Sequence, residues 1–482
     1  MTAHEPLVLA IDVGTSAVRA AALDPRGGVV ATRRIERSDS SSGAVFDAAL
    51  LWRQLGEATR GLPEPVRREL VGAAIAGHVG TVLADSAFEP VGPGRGWADA
   101  SGIDLLAARA GSELPELLRE IGRPALTGGA AAAALGLREV DADAFARVRH
   151  VLAPKDLLVA RLTGIAATDA TTAAYSSLSD VRERSWSARA LGVAGLDESV
   201  MPPQLASTAI VGGVTARAAA ETGLPVGLPV AAGGPDGTVG ATFAIGEGRD
   251  LIADVAGTTD VIVRLVETAD HAPGAAMVNP YTLGGWSAGG ATGMTGGAMS
   301  RWAALLGHTT VAHAVAELER GVEAIPPGAD GLFAYPALSG SRFPRWNPAE
   351  TGLLLGQRDA HEPVHVLLAV AEGMAFVVRE GIDLLYPDRE ASVVLAGGVA
   401  RSRRLSQLRA DVLDREVIVS REPDVSLMGA GLLAMLATGI HASAADAAAA
   451  REEEAERLSP DPERAAAYRE LFAGWQEATR ER

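Results

Sequence analysis

The chain has 482 residues, 48% of them hydrophobic and 21% charged, with no cysteine and a net charge of −17. That length allows two or three domains with sizeable cores, and the acidic balance argues against a general nucleic-acid binder. Zero cysteine excludes disulfides, thiolate zinc sites, cysteine-ligated iron–sulfur clusters and cysteine nucleophiles.

In chain order, residues 7–11 (LVLAI) read as a buried strand, and residues 17–23, after a Gly-Thr turn, as its hairpin partner. The turn from Asp24 to Gly28 leads into a third strand, VVATRRIE. Residues 47–60 are helical, with Leu50, Leu51 and Leu55 on one face. Residues 71–77 and 81–85 read as strands, 103–121 and 141–149 as helices, and 155–162 as a short helix stopped by Gly164. A strand near 228–233 runs through Gly233-Gly234-Pro235-Asp236-Gly237 into a small-residue helix ending near 245. A second strand–turn–strand follows at 251–265, and 271–300 reads as loop or strand. Residues 363–386 form a long helix, 392–396 a strand, 401–413 a helix, and the tail from 442 is helix broken near Pro460. Alternating strands and helices predict α/β layers. The segments 11–23 and 253–265 share one pattern of strand, Asp, Gly-Thr turn and strand. Two similar halves would produce it, and so would the coincidence of two tight turns.

The N-terminus lacks a basic-then-apolar leader, its first apolar run being cut by Asp12, and no run of about 20 apolar residues occurs. A cytoplasmic protein with no membrane partner is the expectation. Arginine supplies all the cations except one, Lys155, which lies in Pro154-Lys155-Asp156, so no P-loop is present. No G-x-G-x-x-G dinucleotide fingerprint occurs either.

Asp12-Val13-Gly14-Thr15-Ser16 combines a tight turn with amide and hydroxyl donors that can face an anion. A carboxylate at that strand end can hold Mg²⁺ through water. Gly257-Thr258-Thr259 offers the same donors from the other half. Two such turns across a cleft would cradle a polyphosphate; each alone is equally an ordinary hairpin. Asp236 can take a proton from a substrate hydroxyl or cap a helix. His361 to His365 matches H-E-x-x-H, but Pro363 interrupts the helix that a zinc site needs. Ser287 in G-x-S-x-G lacks the helix that should follow a nucleophile elbow, so a serine hydrolase stands as a rival of last resort.

In this order the motifs resemble the FGGY family of carbohydrate kinases, within the sugar kinase, heat-shock and actin-like fold. The resemblance spans about 7–440. It includes the first turn at Asp12, Trp97-Ala98-Asp99, Lys155-Asp156 through Gly164 and Thr168-Asp169, Gly234-Pro235-Asp236, and Gly257-Thr258-Thr259. It continues through Pro336 to Pro348, Glu372-Gly373, Gly397-Gly398-Val399 and Gly429-Ala430-Gly431. The implied fold is α/β, with two actin-like (ribonuclease H-like) lobes around an ATP/sugar cleft. Lobe 1–245 would carry the sugar side and first phosphate turn, and lobe 246–482 the second phosphate turn, adenosine site and helical tail.

The implied chemistry is transfer of the ATP γ-phosphoryl group to a sugar hydroxyl with Mg²⁺. Asp236 would be the base, and Asp12 and Asp236 would hold the metal. Asp12, Gly14, Thr15, Ser16, Gly257, Thr258, Thr259, Gly397, Gly398 and Val399 would hold the nucleotide. His78, Trp97, Asp99, Asp236 and Arg342 would face the sugar. A ketopentose such as xylulose leads, with a polyol or sugar acid (glycerol, erythritol or gluconate type) and a non-catalytic nucleotide sensor as alternatives. A homodimer is the assembly the resemblance implies. Xylulose kinases of the family carry Gly-Gln-Met-His-Gly where this chain has Gly77-His78-Val79-Gly80-Thr81, Ala100-Ser101 follow Asp99, and an alanine run occupies 130–134. The family's P-x-x-K-L-x-W-L segment is missing near that run. All these departures fall on the sugar side.

Overall fold

A computed structural model describes residues 5–480 apart from 38–43, 128, 294, 322–324, 339, 388–389 and 452–454, so Ser339 of the Pro336 to Pro348 stretch lies outside the described residues. The strand Leu7–Val13 is buried at every position. Its alternate side chains enter two different cores. Leu9 and Ile11 pack with Leu51, Leu55, Leu157 and Leu158, and Val8 and Ala10 pack with Leu427, Met428, Ala430 and Leu433. A strand covered by helices on both faces reads as a continuous apolar run, which is how the sequence presents it.

This strand pairs antiparallel with Ala17–Leu23 and parallel with Leu70–Gly77. Val29–Glu36 extends the sheet beyond Ala17–Leu23. On the other side, Pro229–Ala231, Ile210–Gly213 and the short Gly234–Pro235 strand complete seven strands. The second half repeats the plan. Leu251–Ala256 pairs antiparallel with Asp260–Val266 and parallel with Ser392–Gly397, in another seven-stranded sheet. The shared pattern of 11–23 and 253–265 is therefore the central hairpin of each half. Helices and loops between about 103 and 201 build a separate core around Leu106, Leu117, Leu135 and Leu191, against Leu83 and Val151 of a four-stranded sheet.

Between the sheets, helix Asp236–Ile245 crosses helix Val425–Thr438. Their backbones touch: a Cβ on Gly429 would lie 2.2 Å from the Val239 carbonyl oxygen. Helix Val425–Thr438 lies in the chain between two strands of the second sheet, Val417–Val419 and Glu456–Leu458, yet packs on Leu7–Val13 and Leu70–Gly77 of the first.

Several expected elements differ. The helix expected over 103–121 is three pieces, Ile103–Ala110, Gly111–Glu113 and Leu114–Glu120. Gly111 at φ 53° and Pro115 in the next first turn divide it. Over 141–149 only Ala142–Phe145 is helical, while Ala130–Val140 forms a helix that sequence reading left unassigned. Within 271–300, helix Thr295–Leu305 begins after two strands. In the tail, Glu456–Leu458 is a strand on the edge formed by Val417–Val419. Three residues carry no readable alternation; the neighbouring edge determines their state. Among the described residues no helix is long and apolar enough to cross a membrane.

Gly429→Ala should destabilise the protein by about 1–3 kcal/mol, because its methyl group would displace one of two touching backbones. Gly474→Ala, with nothing within 4 Å of the added Cβ, should be neutral or slightly stabilising. Urea unfolding midpoints of the two variants check this.

Candidate active site

The first turn closes with the Gly14 amide donating to the Ala17 carbonyl at 3.0 Å, which leaves Gly14 and Thr15 half-buried and Ser16 exposed. Asp12 lies at its base, 1% exposed. Its Oδ2 accepts from Arg19, which also donates to Asp424 just before helix Val425–Thr438. Burial pushes the Asp12 carboxyl up to about 7; Arg19 opposes this and the charge of Asp236 adds to it. Its Oδ1 is buried without a partner.

Asp236 is the first residue of its helix, with Pro235 in the capping position, so the capping alternative does not describe it. Its carboxylate accepts from the Gly237 amide at 2.7 Å. Burial raises its pKa, opposed by that amide and by Arg19. Two carboxylates close enough to influence one another, one with an unused buried oxygen, form a donor set that suits a hydrated divalent cation. Among the described residues no group of three His, Asp or Glu is placed to hold a metal, so water would complete the shell.

The second turn exposes Gly257 and Thr258, with Thr259 half-buried. Asp254 and Asp260 flank it, both fully buried, and both accept from Arg409, at 2.7 Å to Asp254 and 3.1 Å to Asp260. Burial raises both carboxyls despite that cation. The Asp260 amide donates to the Thr292 and Thr295 hydroxyls. Helix Thr295–Leu305 begins against the turn, where a Cβ on Gly296 would lie 2.0 Å from the Gly257 oxygen.

Gly397 sits at φ 88°, where a side chain would strike the Ala256 oxygen, and the Gly398 amide donates to that same oxygen at 2.7 Å. The Gly257 and Gly397 turns thus meet on one open cleft of about 820 Å³, where Thr258, Gly398 and Val399 face apolar walls that include Met299, Met374 and Leu405, and which the Gly14 turn does not line. Sequence reading missed these walls and Arg409. Apolar side chains from separate helices form no motif.

Gly77, His78, Val79, Gly80 and Thr81, expected to face the sugar, line a second, narrower pocket that reaches Pro235 beside Asp236. The His78 ring stands edge-on to Phe46, with Nε2 3.2 Å from Arg37 Nη1. Trp97 and Asp99 do not line this cavity. Arg342, from the second half, stacks over the Trp97 ring at 4.9 Å and donates to its carbonyl at 3.1 Å. Burial lowers the pKa of Arg342. Asp99 accepts from the Ser101 amide and hydroxyl. Ser287 is buried within a strand and its hydroxyl donates to Asn279 O. That placement removes the hydrolase alternative, which needs an exposed hydroxyl on a strand-to-helix turn. Pro363 begins its helix, so His361 lies outside it and H-E-x-x-H does not form one helical face.

Two lobes of like topology, with Gly-Thr turns at their central hairpins, define the sugar kinase, heat-shock and actin-like class. Within that class, the models of the N- and C-terminal domains of the FGGY family of carbohydrate kinases match residues 7–243 and 253–438, and the chain belongs to this family. It is a phosphotransferase with an alcohol group of a carbohydrate as acceptor and ATP as donor. It is 29% identical to the xylulose kinase of Escherichia coli over 489 residues, covering 97% of this chain and 98% of that protein. The xylulose kinase structure from Rhodospirillum rubrum superposes with a TM-score of 0.83 at 25% identity, and the gluconate kinase structure from Lactobacillus acidophilus with 0.86 at 20%, each covering 98% of both chains.

Removing Arg409 leaves two buried carboxylates without their cation. Arg409→Leu should cost about 3–5 kcal/mol at pH 8. Asp254 and Asp260 already hold protons to higher pH folded than unfolded, and without Arg409 this difference grows. The variant's folded state then binds more protons than its unfolded state, so its deficit should shrink as pH falls toward 5.5. Thermal unfolding of both proteins across that range reads it.

Proposed function

We propose that the chain transfers the γ-phosphoryl group of MgATP to a hydroxyl of a ketopentose such as xylulose. The observation that carries this reading is Asp236, whose carboxylate lies at a helix start within electrostatic reach of Asp12 and beside the cavity lined by Gly77 to Thr81. The similarity to xylulose kinases along nearly the whole chain supports the acceptor class. The gluconate kinase neighbour shares the fold and keeps a sugar acid as the alternative acceptor.

In this reading Asp236 accepts the proton of the acceptor hydroxyl as that oxygen bonds to the γ-phosphorus and the bond to the β-phosphate oxygen breaks, releasing ADP. Gly14, Thr15 and Ser16 on one side, and Gly257, Thr258 and Thr259 on the other, position the phosphates. Gly397, Gly398 and Val399 border the adenosine. Asp12 Oδ1 and Asp236 would hold Mg²⁺, which supplies charge neutralisation on the phosphates. His78, Trp97, Asp99 and Arg342 orient the sugar. Arg342 joins the two lobes through Trp97, so acceptor binding and lobe closure act on one contact and keep water from the phosphoryl group. Dependence on ATP supports a cytoplasmic site of action.

Coupled ADP release with MgATP should respond most strongly to a ketopentose in a panel of ketopentoses, ketohexoses, glycerol, erythritol and gluconate. Asp236→Asn should lower kcat by about 10²–10⁴-fold. A stronger response to gluconate would move the reading to a sugar acid. ATP binding without turnover on any acceptor would favour a sensor, the reading to which the altered Gly77 to Thr81 segment points.

A further inference from the structure

The only lysine of the chain, Lys155, is buried, 1% exposed. A buried ammonium is costly unless each of its three N–H groups finds an acceptor. Here it donates hydrogen bonds to the Asp156 carboxylate and to the Ala232 carbonyl at 2.9 Å, and Asp169 Oδ1 lies against it as an ion-pair partner at 2.9 Å. The three partners belong to three segments. Asp156 lies in the first turn of helix Pro154–Thr163, with its Oδ2 on the Ala153 amide. Asp169 caps helix Ala170–Tyr175 through the Thr171 and Thr172 amides and also accepts from Ser207 Oγ. Ala232 immediately precedes Gly233-Gly234-Pro235-Asp236.

That segment has little freedom. The Gly233 amide donates to Ser207 O at 2.9 Å. Gly233 is at φ 76°, and a Cβ there would lie 2.0 Å from Ile75 O. Gly234 and Pro235 pair with Ala76 and Gly77. The Ala232 amide donates to Ala209 O at 2.9 Å and the Ser426 hydroxyl donates to Asp236 O at 3.0 Å; Lys155 adds a restraint on the carbonyl of Ala232, a residue only 2% exposed. Three partners converging on one point suit a tetrahedral ammonium, whereas a planar guanidinium spreads its donors along a fork. Elsewhere this chain uses arginine for every cation, so the exception falls where geometry requires it. Stability alone is a weak reason for such a cluster, since an apolar group of like volume in place of a buried ion pair is often as stable.

We propose that Lys155 is a positioning residue for phosphoryl transfer: by fixing the Ala232 carbonyl it sets the course of Gly233 to Asp236 and hence the aim of the Asp236 carboxylate. This rests on Asp236 being the base. Lys155 touches neither the nucleotide cleft nor Asp236, but with Asp156 it lines the cavity formed by Gly77 to Thr81, so the kinetics must separate a loss in the chemical step from a loss in sugar binding.

The test is steady-state kinetics with xylulose and MgATP on Lys155→Arg and Lys155→Met, with thermal midpoints and a double variant with Asp236→Asn. The expected result is a fall in kcat of tenfold or more, with both KM values within about threefold of the parent. In the double variant, turnover should stay within twofold of Asp236→Asn alone, because the base through which Lys155 acts is already gone. A kcat within twofold of the parent overturns the proposal. So does a loss confined to the xylulose KM, multiplicative losses in the double variant, or failure of both single variants to fold, which would make Lys155 a stability residue. An unmodified protein that turns over no sugar sinks the parent reading instead, and the two failures are distinct.

Discussion

A carboxylate at the inner end of a fully buried strand must have a cation beside it, and the two halves of this protein both rest on that pairing. Asp12 meets Arg19 from the adjacent strand, and Asp254 meets Arg409 from a helix far along the chain. Each arginine also takes a second aspartate, Asp424 or Asp260. The anchors are equivalent in place and unrelated in sequence position. They hold the two turns firm, each by one guanidinium shared between two carboxyl groups.

Sequence reading reached furthest where local and tertiary demands coincide. The strand Leu7–Val13 is apolar apart from Asp12 because helices cover both its faces, and Gly14 and Gly257 mark the turns that follow the first strand of each central hairpin. Asp236 was legible because glycines and a proline before it announce an abrupt passage from strand to helix. Arg409 and Asp424 carried no such signal: each meets its partner only after more than 150 intervening residues have folded. The apolar walls at Met299, Met374 and Leu405 were equally silent, since adenosine-side packing asks for shape and not for a residue pattern. Helix Ala130–Val140 was passed over because five consecutive alanines show no amphipathic period, although alanine favours the helix.

The two sides of the cleft are built differently. The nucleotide side relies on backbone groups of glycine turns and on apolar walls, which tolerate sequence change while the backbone is kept. The sugar side relies on side chains from loops and short helices around their own small core, at Leu106, Leu117 and Leu191. In the proposed reading, that division would let the Gly77 to Thr81 segment change while the Gly14 and Gly257 turns are kept.

The contact between Gly429 and Val239 has a mechanical consequence. Helices whose backbones touch can rotate about the point of contact, yet cannot slide without opening a void. Val239 is three residues from Asp236, less than one helical turn or about 5 Å along the axis. The aspartate therefore sits almost at the fulcrum of any swing between the two lobes. If the two lobes swing about this contact, the walls at Met299, Met374 and Leu405 travel through a longer arc than the carboxylate, as the rim of a wheel does around its hub.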